Sequence, residues 1–240
     1  MLEEVLRFLE PGPGRWIADL TLGGAGHSLA FLEAGARVIG FDRDAEALER
    51  ARQRLSPHLA DFVGVHRPFG ELGRVLDELD LGQVDGVLMD LGLSSDQLDD
   101  PERGFGFRFD GPLDLRFDAS RGRAASELLA QSDVGTIERW LREYGELRSA
   151  RGIARELSSR ARSGTITTTD LREIVAARLP GHVKPEPELA RLFQALRIAV
   201  NDELGQLETA LECLPDRLRT GGAFVAISYH SLEDRRVKRM

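Results

Sequence analysis

Along the amino-terminal part of the chain, apolar residues come in short clusters punctuated by glycine and aspartate, and the clusters alternate between two spacings. Arg15 to Leu20 is a compact apolar block that predicts a buried strand. It is followed by a glycine turn at Gly23 to Gly26 and a helical run from Ser28 to Glu33. Arg37 to Phe41 predicts a second strand ending at Asp42. Ala45 to Leu55 then places Ala47, Leu48, Ala51 and Leu55 on one side of a helix. The same rhythm continues with a strand over Asp61 to Val65, a helix over Leu72 to Leu79, and a strand over Gly86 to Met89 that ends at Asp90. Strands alternating with helices imply a parallel sheet covered on both faces, a doubly wound α/β fold.

Beyond Asp90 the alternation stops. Leu91 to Arg123 carries Gly, Asp, Ser and Arg without sustained period, and it is too long for an ordinary connection. From Ala124 to Leu214 the pattern is helical, with segments expected at Ser126 to Ala130, Thr136 to Tyr144, Ala150 to Ala161, Thr169 to Leu179 and Glu188 to Leu214. Thr168 or Thr169 is the expected cap of the fourth. Gly222 to Ser228 returns to the strand pattern. The chain therefore divides into a core, residues 1–95 and 200–240, and a mainly helical insertion domain, residues 96–199.

With 240 residues, 42% of them hydrophobic, the chain can bury a substantial core. No apolar run reaches the roughly 20 residues that span a bilayer, and the Leu-Glu-Glu-Val-Leu start does not resemble a signal peptide. The expectation is a cytoplasmic protein. Cys213 is the sole cysteine, so no internal disulfide can form, and no Cys/His spacing suggests a metal. A net charge of -8 weighs mildly against a nucleic-acid partner, although charge distribution can override the total. Only Lys184 and Lys238 of the 32 basic residues are lysines. Biased composition and phosphate recognition both account for that excess of arginine.

Asp19-Leu-Thr-Leu-Gly-Gly-Ala-Gly-His27 puts small residues where a strand gives way to a helix, so a cofactor can approach the backbone and meet free N–H groups. A plain structural turn has the same composition. The third glycine of a dinucleotide fingerprint is absent after Gly24-Ala25-Gly26, which disfavours a nicotinamide cofactor. Asp42 ends the second strand about 20 residues past the turn, where a carboxylate either binds two ribose hydroxyls or caps the next helix. Asp90-Leu-Gly-Leu-Ser-Ser95 sits at the end of the fourth strand, the usual ligand crevice of such sheets. There Asp90, with the neighbouring backbone or Ser94, can accept hydrogen bonds from a conjugated amine and so favour its nucleophilic, pyramidal state. Alternatively, Asp90 orders the turn or touches the cofactor.

These segments, with Asp90-Leu-Gly-Leu-Ser-Ser-Asp-Gln-Leu-Asp99, Arg103-Gly-Phe-Gly-Phe107, Gly111-Pro-Leu-Asp-Leu-Arg116, Phe193-Gln-Ala-Leu-Arg-Ile-Ala-Val-Asn201 and His230-Ser-Leu-Glu-Asp-Arg-Arg-Val-Lys-Arg239, resemble the bacterial 16S ribosomal RNA (cytosine-N4)-methyltransferase family over nearly the whole chain. The resemblance implies a Rossmann-like methyltransferase sheet, S-adenosyl-L-methionine as cofactor, and a cytosine of the decoding centre of the small ribosomal subunit as substrate. By position it implies cofactor contacts at Ala25, Gly26, His27, Asp42, Phe69, Asp90 and Gln97. Members of that family extend further at both ends, with a His-x-Pro-Val-Leu motif before the residue aligned with Leu2 and further strands beyond Met240. On that reading the sequence is a fragment whose fifth strand is a sheet edge.

Arg103, Arg108, Arg116, Arg121 and Arg123 alternate with Phe105, Phe107, Phe109 and Phe117, a mixture suited to phosphate pairing and base stacking, or to an ordinary core with solvated arginines. Arg197 and Asn201, four apart, either face the substrate from one helix or pair internally. His230 follows the last strand, where it meets the target base or caps the final helix; Ser231 shares that turn. No role is assigned to His58, His66 or His182. Two rival readings remain: a small-molecule methyltransferase with a helical lid, and an inactive cofactor- or RNA-binding homologue.

Overall fold

The computed structural model describes residues 1–180 and 184–240, so His182 lies outside the described residues. The chain forms two compact units: Met1–Gly92 with Leu204–Met240, and Leu93–Glu203. In chain order the first runs α1 (Leu2–Leu9), β1 (Trp16–Asp19), α2 (Gly26–Glu33), β2 (Arg37–Asp42), α3 (Ala45–Arg54), β3 (Phe62–His66), α4 (Leu72–Glu78) and β4 (Val84–Asp90). The second unit follows with α5 (Ser95–Asp99), α6 (Ala125–Gln131), α7 (Val134–Glu143), α8 (Ala150–Ser163), α9 (Thr168–Ala176) and α10 (Glu186–Asn201). The first unit then resumes with α11 (Glu203–Arg217), β5 (Leu218–Ile227) and α12 (Ser231–Val237).

In the first unit the sheet order is β3-β2-β1-β4-β5 and every pairing is parallel. Side chains alternate across a pleated strand, and the two cores follow that alternation. Ala18, Ile39, Val87 and Met89 join Leu72 and Leu76 of α4 and Leu207, Leu211 and Leu214 of α11. Ile17, Val38 and Leu88 join Val5 and Leu9 of α1, Phe31 of α2 and Leu48 of α3. Burying each such Leu, Ile or Phe contributes about 1.5–3 kcal/mol, which explains why the strands read as continuous apolar runs. Helix α1 went unanticipated; only Val5 and Leu9 of its residues are buried.

The second unit is a helical cluster around Leu141, Ile153, Leu157, Leu171, Ile174 and Leu192. Two expectations are corrected there. The helix expected over Glu188 to Leu214 is two helices, α10 and α11, because Asp202 adopts a left-handed conformation (φ 51°) and its N–H bonds to Ile198 O. No glycine or proline marks that break in the sequence, yet an ion pair spans it: Arg197 donates to both Glu203 oxygens at 2.8 and 2.9 Å. The residue before α9 is Thr167, whose N–H donates to Asp170 Oδ2 at 2.8 Å. Thr168 is buried, and its hydroxyl donates to Phe109 O at 2.9 Å. Among the described residues no helix is long and apolar enough to cross a membrane, and no cluster of His, Cys, Asp and Glu could hold a metal ion.

Candidate functional site

The sheet of the first unit changes its direction of growth between β1 and β4, and beyond their carboxyl ends lies the crevice in which such sheets bind ligands. β1 ends at Asp19 and passes through a tight turn into α2. Gly23 (φ 46°) and Ala25 (φ 57°) are left-handed there, which costs Ala25 strain that glycine escapes. The turn is fixed from two sides: Gly23 N–H donates to Asp42 Oδ2 at 2.9 Å, and Arg54 donates to Gly24 O at 2.6 Å. No side chain caps α2, and a Cβ placed on Gly26 would meet nothing within 4 Å. Uncapped first-turn amides beside open space suit an anionic group.

Asp42 accepts from Gly23 and from Asp44 N–H (2.9 Å), whereas the helix cap of α3 is Asp44, which accepts from Glu46 and Ala47. The alternative in which Asp42 caps that helix is thereby excluded. Burial raises the Asp42 carboxyl to about 6, against the lowering effect of the Asp44, Gly23 and Arg43 N–H groups. Asp19 is buried and its carboxyl is also pushed up by burial, against the Ser28 hydroxyl (2.7 Å) and the Thr21 N–H (3.2 Å). Desolvated carboxylates of this kind favour a cationic ligand, which would return to them the Coulomb energy lost with water.

At the end of β4, the Asp90 N–H donates to Thr21 Oγ1 at 2.6 Å. Its Oδ1 accepts from the Tyr229 hydroxyl at 3.2 Å, and its Oδ2 lies 3.9 Å from His27 Nδ1. Thr21 and Tyr229 were missed by sequence reasoning. Thr21 sits inside the glycine motif, and Tyr229 directly precedes the His230 motif, so nearness to those motifs was the available signal. His230 stands at the N-cap of α12 but makes no cap bond with its side chain. Its Nε2 lies 3.1 Å from Glu233 Oε1 without the alignment of a hydrogen bond, and both ring nitrogens are buried. Phe69 begins a short 3-10 turn after β3 and packs partly buried on the α4 and α11 side of the sheet. Asp42 and Asp90 thus end strands of the first unit, and Ala25, Gly26, His27, Phe69 and His230 follow the carboxyl ends of its strands.

The remaining expected site residues belong to the second unit. Ser94 and Gln97 are occupied with each other as the capping box of α5: Gln97 N–H donates to Ser94 Oγ and Ser94 N–H to Gln97 Oε1, both at 3.2 Å. Asn201 is buried, accepts from Phe117 N–H (2.8 Å) and donates to Leu115 O (2.6 Å). Arg197 donates to both carboxylate oxygens of Glu203, and Asn201 also donates to Arg197 O at 3.0 Å, so the two residues are paired internally. Arg103 donates to the carbonyls of Arg116 and Phe117 at 3.1 and 2.9 Å. Arg116 forms a two-pronged ion pair with Asp114, both bonds 2.7 Å. Phe105 and Phe117 stack on each other with ring centres 5.7 Å apart, and Phe105 is buried. Arg108, Arg121 and Arg123 are exposed, as is Phe109 at 52%. Arg121 lies 3.6 Å from Asp118, and Arg123 bonds to Gln131.

A family model described as the MraW methylase family matches residues 1–240. The chain is 45% identical over 243 aligned positions to ribosomal RNA small subunit methyltransferase H of Aromatoleum aromaticum, covering 100% of this chain and 77% of that one. Proteins of the same name from Sorangium cellulosum and Geobacter sulfurreducens are 48% and 47% identical. Those alignments cover 98% and 100% of this chain and 76% and 79% of theirs.

Proposed function

Because the chain belongs to the MraW methylase family, we propose that it transfers a methyl group from S-adenosylmethionine to the exocyclic N4 of a cytosine in the decoding centre of 16S ribosomal RNA. The observation that carries the cofactor half is the desolvated Asp42 carboxylate, anchored on the turn that leads into an uncapped α2. The relatives' names supply the ribosomal RNA half.

S-adenosylmethionine supplies an electrophilic methyl group on a sulfonium. The chain's residues do the rest by placement. The α2 amides would receive the ligand carboxylate, Asp42 the two ribose hydroxyls, and Phe69 the adenine face. Asp90 would accept an N–H of the target amine, holding the nitrogen in line and drawing its lone pair out of conjugation. The methyl–sulfur bond would break as the C–N bond forms, the cofactor would leave as a neutral thioether, and Asp90 is the carboxylate assigned to take the proton that the nitrogen would shed. The exposed Arg108 and Phe109 of the second unit are assigned to the RNA strand, by phosphate pairing and stacking. Such a reaction belongs where small subunits are assembled, the bacterial cytoplasm.

The test is incubation of the full chain with tritiated-methyl S-adenosylmethionine and unmodified small ribosomal subunits, followed by nucleoside mass spectrometry. The expected product is N4-methylcytidine; the absence of label in the RNA, or label confined to a small molecule, would overturn the reading.

A further inference from the structure

Tyr229 sits on the loop between β5 and α12, is 64% exposed, and is held in three ways. Its hydroxyl donates to Asp90 Oδ1 at 3.2 Å. Its N–H donates to Oε2 of Glu233 at 3.0 Å, and that carboxylate is itself buried. Its ring lies across Gly92, where an added Cβ would stand 3.2 Å from Tyr229 Cδ2, and Gly92 has a φ of 111° that favours glycine. A large aromatic ring is normally driven out of water. Here the residue stays 64% exposed while its backbone, its hydroxyl and one ring edge are held, so ring surface is presented rather than tucked away.

We propose that Tyr229 is the residue that receives the target base: its exposed ring surface stacks on the cytosine while its hydroxyl, by occupying Asp90 Oδ1, leaves Oδ2 as the acceptor for the amine. The inference rests on the role assigned to Asp90 above. The hydroxyl arm makes Tyr229 a positioning residue, since it acts through Asp90. The ring arm contributes binding, because a base stacked on an aromatic side chain gains free energy whatever its sequence context. Burial and the neighbouring Asp90 charge raise the phenol above its ordinary value, so it remains a donor at neutral pH.

The two arms separate by substitution. In single-turnover assays on unmodified small subunits, Tyr229→Phe is expected to lose about tenfold in the transfer rate with KM for the particle within about twofold of wild type. Tyr229→Ala should add a rise of about fivefold or more in that KM. S-adenosylmethionine affinity and thermal stability should stay unchanged in both, which a merely structural role would not allow. The double variant Asp90→Ala/Tyr229→Phe should be no slower than Asp90→Ala alone. A wild-type rate for Tyr229→Phe, an unchanged KM for Tyr229→Ala, or additive losses in the double variant would each overturn the proposal. A wild-type rate for Asp90→Ala would instead overturn the role of Asp90.

Discussion

The Asp90 amide donates to the Thr21 hydroxyl at 2.6 Å, which ties the end of β4 to the turn that follows β1. One threonine therefore sets the backbone of the carboxylate assigned to the reaction. Thr21→Val keeps the shape but removes the acceptor, and a partly buried N–H left without a partner costs about 1–3 kcal/mol. Thermal unfolding should shift down by about 2–4 °C for each kcal/mol lost in a chain of this size. Methyl transfer should fall as well, whereas Thr21→Ser should restore both. An unchanged melting temperature in Thr21→Val would show that the bond carries no stability.

With Asp42 proposed as the ribose ligand, cofactor binding is expected to depend on pH. Burial raises its carboxyl to about 6 in the folded chain, from an ordinary value of 3.8. A raised carboxyl costs the folded state stability above about pH 6, and the cost is relieved as pH falls through the window down to the ordinary value. Ligand binding runs the other way, since two ribose hydroxyls need the ionised form. At pH 5.5 only about a quarter of the carboxyl would be ionised, so affinity for S-adenosylmethionine should be about fourfold weaker than at pH 7.5, with proton release on binding. Calorimetry in two buffers of different ionisation heat measures both. Asp42→Asn should bind more weakly at pH 7.5 and show no such dependence; an unaltered pH profile would remove Asp42 from the ribose site.

The core was legible wherever local pattern and tertiary environment agreed. Each strand from β1 to β4 is apolar because both faces of the sheet are covered, and β1, β2 and β4 end at Asp19, Asp42 and Asp90, which belong to the motifs the sequence had singled out. The Asp202 break was invisible because it is made by a left-handed aspartate spanned by a local ion pair rather than by a helix breaker. The partners of the arginines were illegible for a related reason. Spacing gave Arg103, Arg116 and Arg197 the same standing as Arg108, and only their partners distinguish them: carbonyls of the same loop, Asp114 and Glu203.

Those partners sort the arginines by experiment. Arg108 is exposed and has no hydrogen bond or ion pair among the described residues, so Arg108→Ala should weaken RNA binding and reduce the salt slope by about 0.7–1, with melting unchanged. Arg116→Ala strips Asp114 of a two-pronged partner that holds its carboxyl low, although burial opposes that lowering. It should lower thermal stability and leave the salt slope nearly intact. Equal slopes for wild type and Arg108→Ala would return Arg108 to a solvated surface role.

The atom methylated on the base can be argued from the one cysteine. Methylation at ring carbon C5 generally requires a nucleophile that adds to C6, and a thiolate is the usual choice. Cys213 is poorly suited to that task. It lies in α11, its thiol donates to Ala210 O at 3.2 Å, and its side chain packs on the apolar core beside Leu214. Burial pushes the thiol up, against the lowering effect of the Gly73 N–H and Arg217, so the thiolate is scarce at neutral pH. Attack by the exocyclic nitrogen needs no covalent intermediate. Cys213→Ala should therefore keep its transfer rate within about twofold. Asp90→Ala should lose at least about tenfold, or roughly 1.4 kcal/mol of transition-state stabilisation. Single-turnover rates at saturating cofactor separate this chemistry from binding, and mass spectrometry of the released nucleoside identifies the methylated atom. A methyl group on C5, or a folded Cys213→Ala protein unable to transfer, would require a covalent mechanism and exclude direct attack by N4.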